Sequence, residues 1–269
     1  MPRPPLVLLH GSNGCADEMW PLVRKLREYD LRVPNLLGHG GRPVPDRLDV
    51  DLMVADLEAW LDAEGIGPAH FLGYSFGGYL GLALALRHAD RVRSLTAMAV
   101  IYRWGAEAVR HVVHLADPER LGRPGNPRRE QMEAAHGADK WPKVTENNRA
   151  LFASFAEGGA PLNDAQVSTI GTPVLVLSGE KDPLAPAAEA RYLAEVLPNA
   201  RVGLWPGAAH PLSAVPLIEV KYALRDFVRE VEEGRFSPGP ELRLKPQLVP
   251  GGLSFPQVEA TVRRPGESR

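Results

Sequence analysis

A chain of 269 residues, 44% hydrophobic and 24% charged, is long enough for one large α/β domain with an insertion or for two small domains. Its 31 basic and 33 acidic residues are mixed along the chain for a formal charge of −2, which argues against a nucleic-acid-binding stripe or an acidic tail. The lone Cys15 excludes an internal disulfide and points to a reducing, cytoplasmic setting; the opening apolar run Leu6–Leu9 is too short for a signal core, and Tyr79–Leu86 is far shorter than a membrane span.

Short apolar runs alternate with amphipathic stretches, the pattern of a mostly parallel sheet flanked by helices. Strands are predicted at Leu6–Leu9, Leu31–Pro34, His70–Gly73, Val92–Val100, Pro173–Ser178 and Arg201–Trp205. A helix is predicted over 16–29 with Asp17 as its cap. Another covers 49–65, with Leu52, Ala55, Leu57, Trp60 and Leu61 toward one side. Phe76–Ala89, Ala187–Leu197 and Ser213–Glu233 supply the rest. Residues 102–170 break the alternation with short helices separated by Pro118, Pro124, Pro127 and Pro142, and read as a small helical cap inserted above the sheet. The predicted organisation is a core over 1–101 and 171–234, a cap over 102–170, and a proline-rich extension over 235–269. In that extension 241–245 and 258–264 flank Gly251–Gly252, as arms of a loose hairpin or as parts of an unstructured tail.

At the end of the third predicted strand, "GYSFG" (73–77) fits G-x-S-x-G between a strand and a helix. A strained turn there needs neighbours without side chains, which Gly73 and Gly77 supply. It lifts the Ser75 hydroxyl to the N-terminus of the next helix, where backbone N–H groups favour developing negative charge. An ordinary capping serine explains Ser75 but not the paired glycines. Asp182 follows the fifth strand and His210 the sixth, so a hydroxyl, an acid and an imidazole reach the same sheet edge in the order Ser75, Asp182, His210. Each has a plainer alternative: Asp182 as a turn residue, with Glu180 as the acid, and His210 as a solvated loop histidine. "LLHGSNG" (8–14) presents the Ser12 N–H beside the Phe76 N–H as two donors for an oxyanion. His10 braces that loop, and Asn13 is a candidate side-chain donor.

"HGSNG", "LLGHGGR", "GYSFGG", "GEKDPLAP" and "GAAHPL", in that order over 10–230, resemble the α/β-hydrolase superfamily. The resemblance implies a nucleophilic Ser75, an orienting acid Asp182, a base His210, oxyanion amides at Ser12 and Phe76, and a structural His39. "HGSNGCADEMW" is similar to the branch holding esterases, enol-lactone hydrolases and cofactor-free haloperoxidase-like enzymes, and Ser75 separates the chain from branches with aspartate there. Members usually carry two strands before the "HG" strand. Here that strand starts almost at Met1, so the sheet is short by an edge hairpin, the start is misassigned, or the tail hairpin covers an exposed edge.

The implied activity is a serine hydrolase cleaving a small carboxylic ester or lactone through an acyl-enzyme, with no cofactor, no metal, and neither nucleic acid nor membrane as partner. Oligomeric state is left open. A cofactor-free perhydrolase or lyase with the same triad, or a ligand-binding signalling module keeping the fold, are the competing readings. Asn13, Trp104, Trp141 and Phe155 are candidates for the substrate pocket, against plain packing of the cap on the core. Arg103 and Arg149 are candidates for a substrate carboxylate, against surface exposure.

Overall fold

The computed structural model describes residues 3–244. Among these, seven strands form one parallel sheet: β1 (Pro5–Leu9), β2 (Asp30–Arg32), β3 (Ala69–Tyr74), β4 (Val92–Met98), β5 (Val174–Gly179), β6 (Ala200–Trp205) and β7 (Leu242–Arg243). Their order is β2-β1-β3-β4-β5-β6-β7. The apolar runs form strands because both faces of the sheet are covered: every residue of β3 and of β5 is buried. Along β3, His70 faces one side, where its ring meets Ser94 and Glu232. A Cβ on Gly73 would point to the other side, into the backbone at Gly77 and Gly78.

The helices are α1 (Trp20–Val23), α2 (Val50–Ala63), α3 (Phe76–Arg87), α4 (Ala106–Leu115), α5 (Pro118–Leu121), α6 (Pro127–His136), α7 (Trp141–Gly158), α8 (Asp164–Val167), α9 (Ala187–Val196) and α10 (Leu217–Glu232). Helix α3 is buried along nearly its whole length against β1, β3 and β4. Helix α10 buries Val220, Leu224, Phe227 and Val228, one stripe at helical spacing. No helix among the described residues is long and apolar enough to cross a membrane.

Several sequence expectations are corrected. The helix expected over 16–29 is a 3-10 turn at Ala16–Met19 followed by the one-turn α1, where Pro21 sits in the first turn and removes a backbone donor; Asp17 makes no cap. In α2, capped by Asp49, the buried stripe is Val50, Met53, Val54, Leu57 and Leu61; Leu52 and Ala55 point to solvent. The last long helix starts at Leu217 rather than Ser213, beyond Pro216, after a separate turn at Leu212–Ala214. The expected hairpin arm at 241–245 is used differently. β7 lies parallel to β6, with Gly203 opposite Leu242, because the chain returns through the crossover α10 rather than a tight turn. The core therefore runs past residue 234: Phe236 packs on Phe227 and Leu244 N–H donates to the Leu204 carbonyl. The second expected arm, 258–264, lies outside the described residues. The edge that β7 covers is that of β6. At the opposite edge, next to β1, lies the short β2, which carries an Asp30–Arg32 ion pair.

All seven strands point their C-terminal ends to one rim. The chain leaves β1 for β2 on one side and returns to β3 on the other, so β1 and β3 flank a topological switch point. The loop after β1 and the turn after β3 meet there. Between β4 and β5, helices α4, α5 and α6 pack around α7 and α8 packs on α3, and Trp104, Phe152 and Phe155 form an aromatic cluster on Phe76 and Tyr79 of α3.

The closest approach of helix to sheet is at Gly77, where an added Cβ would overlap the carbonyls of Leu9 and His10. Those atoms are backbone and cannot step aside. Gly77→Ala is expected to lower unfolding free energy by about 3 kcal/mol, read as a reduced urea midpoint at unchanged slope. A midpoint equal to that of the wild type contradicts this packing.

Candidate active site

Ser75 is the residue between β3 and α3, and its backbone is strained: φ is 52° and ψ −122°, a region that side chains rarely adopt. The surroundings enforce it. The Ser75 N–H continues the β3–β4 ladder by donating to the Met98 carbonyl at 2.8 Å, and the next residue already belongs to α3. The hydroxyl is left at the rim, above the sheet.

Asp182 lies beyond β5 and is buried. One carboxylate oxygen, Oδ1, accepts the backbone N–H groups of Leu184 and Ala185, both at 2.8 Å. The other, Oδ2, accepts His210 Nδ1–H at 2.8 Å. Asp182 thus closes a turn with one oxygen and meets His210 with the other, while Glu180 is exposed. His210 lies in the loop after β6. With its proton on Nδ1, its Nε2 accepts the Ser75 hydroxyl at 3.1 Å. Tyr74 fixes the loop from below: its hydroxyl donates to the His210 carbonyl at 2.7 Å and its ring centroid lies 5.6 Å from the imidazole.

Ser12 and Phe76 line the same cavity of about 200 Å³ as Ser75 and His210. Neither of their backbone N–H groups has an acceptor among the described residues. Ser12 belongs to a turn closed by Gly14 N–H donating to the Gly11 carbonyl at 3.1 Å, with Asn13 at φ 58°. Asn13 and Trp104 also line the cavity.

Trp141 and Phe155 do not. Trp141 begins α7 and packs over Gly122 at the end of α5, and Phe155 is held between Tyr79 and Trp104, so both serve the packing of α7. Arg103 pairs with Glu189 and Arg149 with Glu146; neither reaches the Ser75 cavity. The apolar wall comes instead from Ile101, Val112, Leu115, Leu121, Met132 and Leu184.

Sequence reasoning missed three polar contributors to this cavity: Glu18, Arg128 and Gln131. They come from a 3-10 turn and from α6, where no local pattern marks them. Tyr74 was legible in principle, as the residue preceding the serine in "GYSFG". The Glu18 carboxyl makes no hydrogen bond or ion pair among the described residues. Exclusion of water by the surrounding protein pushes it up to about 7, against the opposing pull of His210 and Arg128.

Behind the Ser12 turn lie three buried histidines in a row, His10, His39 and His136, with centroids 5.4 Å and 5.7 Å apart. His10 braces its loop as expected: Nδ1–H donates to the Gly11 carbonyl and Nε2 accepts the Leu36 N–H. His39 donates from Nδ1 to the Leu37 carbonyl, and His136 accepts the Gly40 N–H at Nδ1. Every ring therefore keeps one acceptor nitrogen and is held neutral. Burial is the main cause of the depressed values, about 3 for His10 and about 4 for His39, and it lowers His136 too.

Unfolded histidines take up protons near pH 6.5, whereas these rings resist until pH falls to about 3–4. Their contribution is present above pH 6.5 and is lost on acidification. His10 and His39 together remove about 3 kcal/mol between pH 6.5 and 5. Glu18 acts in the opposite sense, since its raised value favours the folded state as pH falls from 7 toward 4.5. Chemical unfolding is expected to show stability falling between pH 6.5 and 5, and falling more steeply in Glu18→Gln. A shallower fall in the variant contradicts the assignment of Glu18.

With this geometry in view, comparison with known proteins is direct. A family model described as alpha/beta hydrolase fold matches residues 4–138, just over half of the chain. A pimeloyl-[acyl-carrier protein] methyl ester esterase of Chromobacterium violaceum is 28% identical over 248 residues, covering 86% of this chain and 93% of that protein. A 2-hydroxymuconate semialdehyde hydrolase of Pseudomonas putida is 28% identical over 229 residues, covering 77% and 80%. Among solved structures, the enol-lactonase from Burkholderia xenovorans LB400 superposes with a TM-score of 0.66 at 23% identity, covering 86% of this chain and 93% of that one, a likeness of fold. The chain belongs to the alpha/beta hydrolase fold family.

Proposed function

We propose that this protein is a serine hydrolase that cleaves a small carboxylic ester or lactone through an acyl-enzyme on Ser75. The observation that carries the reading is the unbroken hydrogen-bonded chain from the Asp182 carboxylate through His210 to the Ser75 hydroxyl, at 2.8 Å and 3.1 Å. His210 Nε2 takes the hydroxyl proton as Oγ attacks the substrate carbonyl carbon. Asp182 holds the imidazole in the tautomer that makes this transfer possible and stabilises the imidazolium. The carbonyl oxygen gains negative charge and is received by the Ser12 and Phe76 N–H groups at the start of α3. The imidazolium then protonates the departing alkoxide, the carbon–oxygen bond breaks, and an acyl ester of Ser75 remains. A water deprotonated by the same ring attacks the acyl carbon; collapse releases the carboxylic acid and restores the serine.

Helices α4–α8 act as a cap in this reading, since Trp104, Val112, Leu121 and Met132 wall a cavity of about 200 Å³ that suits a short acyl group. Glu18, Arg128 and Gln131 make part of the cavity polar, which favours a substrate with a polar substituent over a plain alkyl chain. The ester reading also fits a relative named for methyl ester hydrolysis. The lone Cys15 accords with a reducing, cytoplasmic setting.

Ser75→Ala is expected to lower kcat on p-nitrophenyl acetate by on the order of 10⁴-fold or more and to abolish fluorophosphonate labelling. Turnover near the wild-type rate in the purified variant overturns the assignment. An esterase panel of graded acyl length, with peroxide and an organic acid as a further arm, separates hydrolysis from perhydrolysis.

A further inference from the structure

The turn that carries the Ser12 N–H contains a non-glycine residue in the left-handed region. Asn13 is at φ 58° and is not glycine. Asparagine tolerates that region in turns, and two side chains from the helices above the sheet fix this one. His136, at the end of α6, donates from Nε2 to the Asn13 backbone carbonyl at 3.1 Å. Asn148, in α7, donates from Nδ2 to Asn13 Oδ1 at 2.9 Å.

Both donors are themselves fixed. His136 Nδ1 accepts the Gly40 N–H at 3.1 Å, which leaves the proton on Nε2, facing Asn13. Asn148 Nδ2 also lies 2.9 Å from His39 Nε2 and 3.0 Å from the Val144 carbonyl. His39 donates from Nδ1 to Leu37, so its Nε2 can only accept. Three acceptors around one amide nitrogen dictate the orientation of the Asn148 amide. Its Oδ1 is buried with no partner among the described residues, a penalty tolerated in exchange for the donor set on the other side. Asn148 and His136 are thus two buried polar residues whose common neighbour is the loop beside Ser75.

We propose that His136 and Asn148 are positioning residues for the oxyanion site: by clamping Asn13 at its carbonyl and its side chain, they hold the Ser12 N–H in line, so the site is complete only while α6 and α7 are seated. The inference rests on the acyl-transfer reading and extends it. Seating of the helices that enclose the substrate and assembly of the oxyanion donors become one event. Loss of either clamp then weakens stabilisation of the tetrahedral intermediate more than binding of the ester.

The test uses full-length Asn148→Ala, His136→Ala, His136→Gln and Asn13→Gly, with p-nitrophenyl acetate as substrate and a trifluoromethyl ketone as mimic of the oxyanion. Asn148→Ala and His136→Ala are expected to lower kcat by about 10–100-fold, less than outright loss of an oxyanion donor, with KM changed less than about threefold. Ketone affinity is expected to fall by the same factor as kcat/KM. His136→Gln, which keeps a donor and an acceptor, is expected to recover most of kcat. Asn13→Gly relieves the positive φ, so it is expected to fold at least as stably as the wild type yet to lose kcat roughly tenfold through a looser turn. In that background Asn148→Ala is expected to have little further effect. Unchanged kcat in Asn148→Ala, or an equal loss with and without the Asn13 side chain, overturns the proposal. If the alanine variants do not fold, full activity in Asn13→Gly overturns it alone. Activity that survives Ser75→Ala refutes the acyl-transfer reading itself, whereas activity strictly dependent on Ser75 but indifferent to Asn148 refutes only the clamp.

Discussion

The close approach of α3 to the first and third strands is the constraint from which the site follows. Because α3 touches β1 backbone to backbone at Gly77, and β3 at Gly73, the chain between β3 and α3 has no room for a relaxed connection. Ser75 takes up the difference at φ 52°. The same contact sets the start of α3 beside the loop after β1, so that Phe76 and Ser12 line one cavity with Ser75. A looser helix would let Ser75 relax and would separate Phe76 from the Ser12 turn. Backbone strain, helix placement and cavity are one arrangement.

The site is also arranged electrostatically. Asp182 is buried, yet each oxygen is satisfied, so its charge is compensated by two backbone donors and one imidazole. The three histidines behind the Ser12 turn are kept neutral by burial and by complementary hydrogen bonds, and act as rigid polar spacers rather than charges. Glu18 differs from both, as a carboxyl lining the Ser75 cavity with no hydrogen bond or ion pair among the described residues. An unpartnered acid that opposes folding at neutral pH is the kind of local cost that functional cavities carry.

Much of this was legible in the sequence because it depends on local chemistry. The apolar runs of β1, β3, β5 and β6 end where glycine, serine, aspartate and histidine begin, so Ser75, Asp182 and His210 could be placed on one rim before any coordinates. What was not legible depends on which surface a residue meets. Leu52 and Val50 are both apolar residues of α2, and only the way that helix packs decides that Val50 is buried and Leu52 exposed. Trp104, Trp141 and Phe155 are equally aromatic; Trp104 follows β4 at the rim and lines the cavity, while Phe155 meets it edge-on and does not. The partners of Asn13, His136 and Asn148, lie 123 and 135 residues away, a separation no motif spans. Two alternating segments flanking a glycine pair leave a hairpin arm and an unstructured tail equally open for the stretch that forms β7, whose partner is β6, brought alongside by α10.

The central claim is that the Ser75 oxygen becomes covalently bonded to the acyl group during turnover. Rapid acid quench of the wild-type protein with p-nitrophenyl acetate, followed by peptide mass spectrometry, tests it most directly. The account predicts an acetyl group on the peptide bearing Ser75, appearing with the first burst of nitrophenol and disappearing as substrate is exhausted. Turnover with that peptide unmodified throughout, or acetylated only elsewhere in the chain, would contradict it.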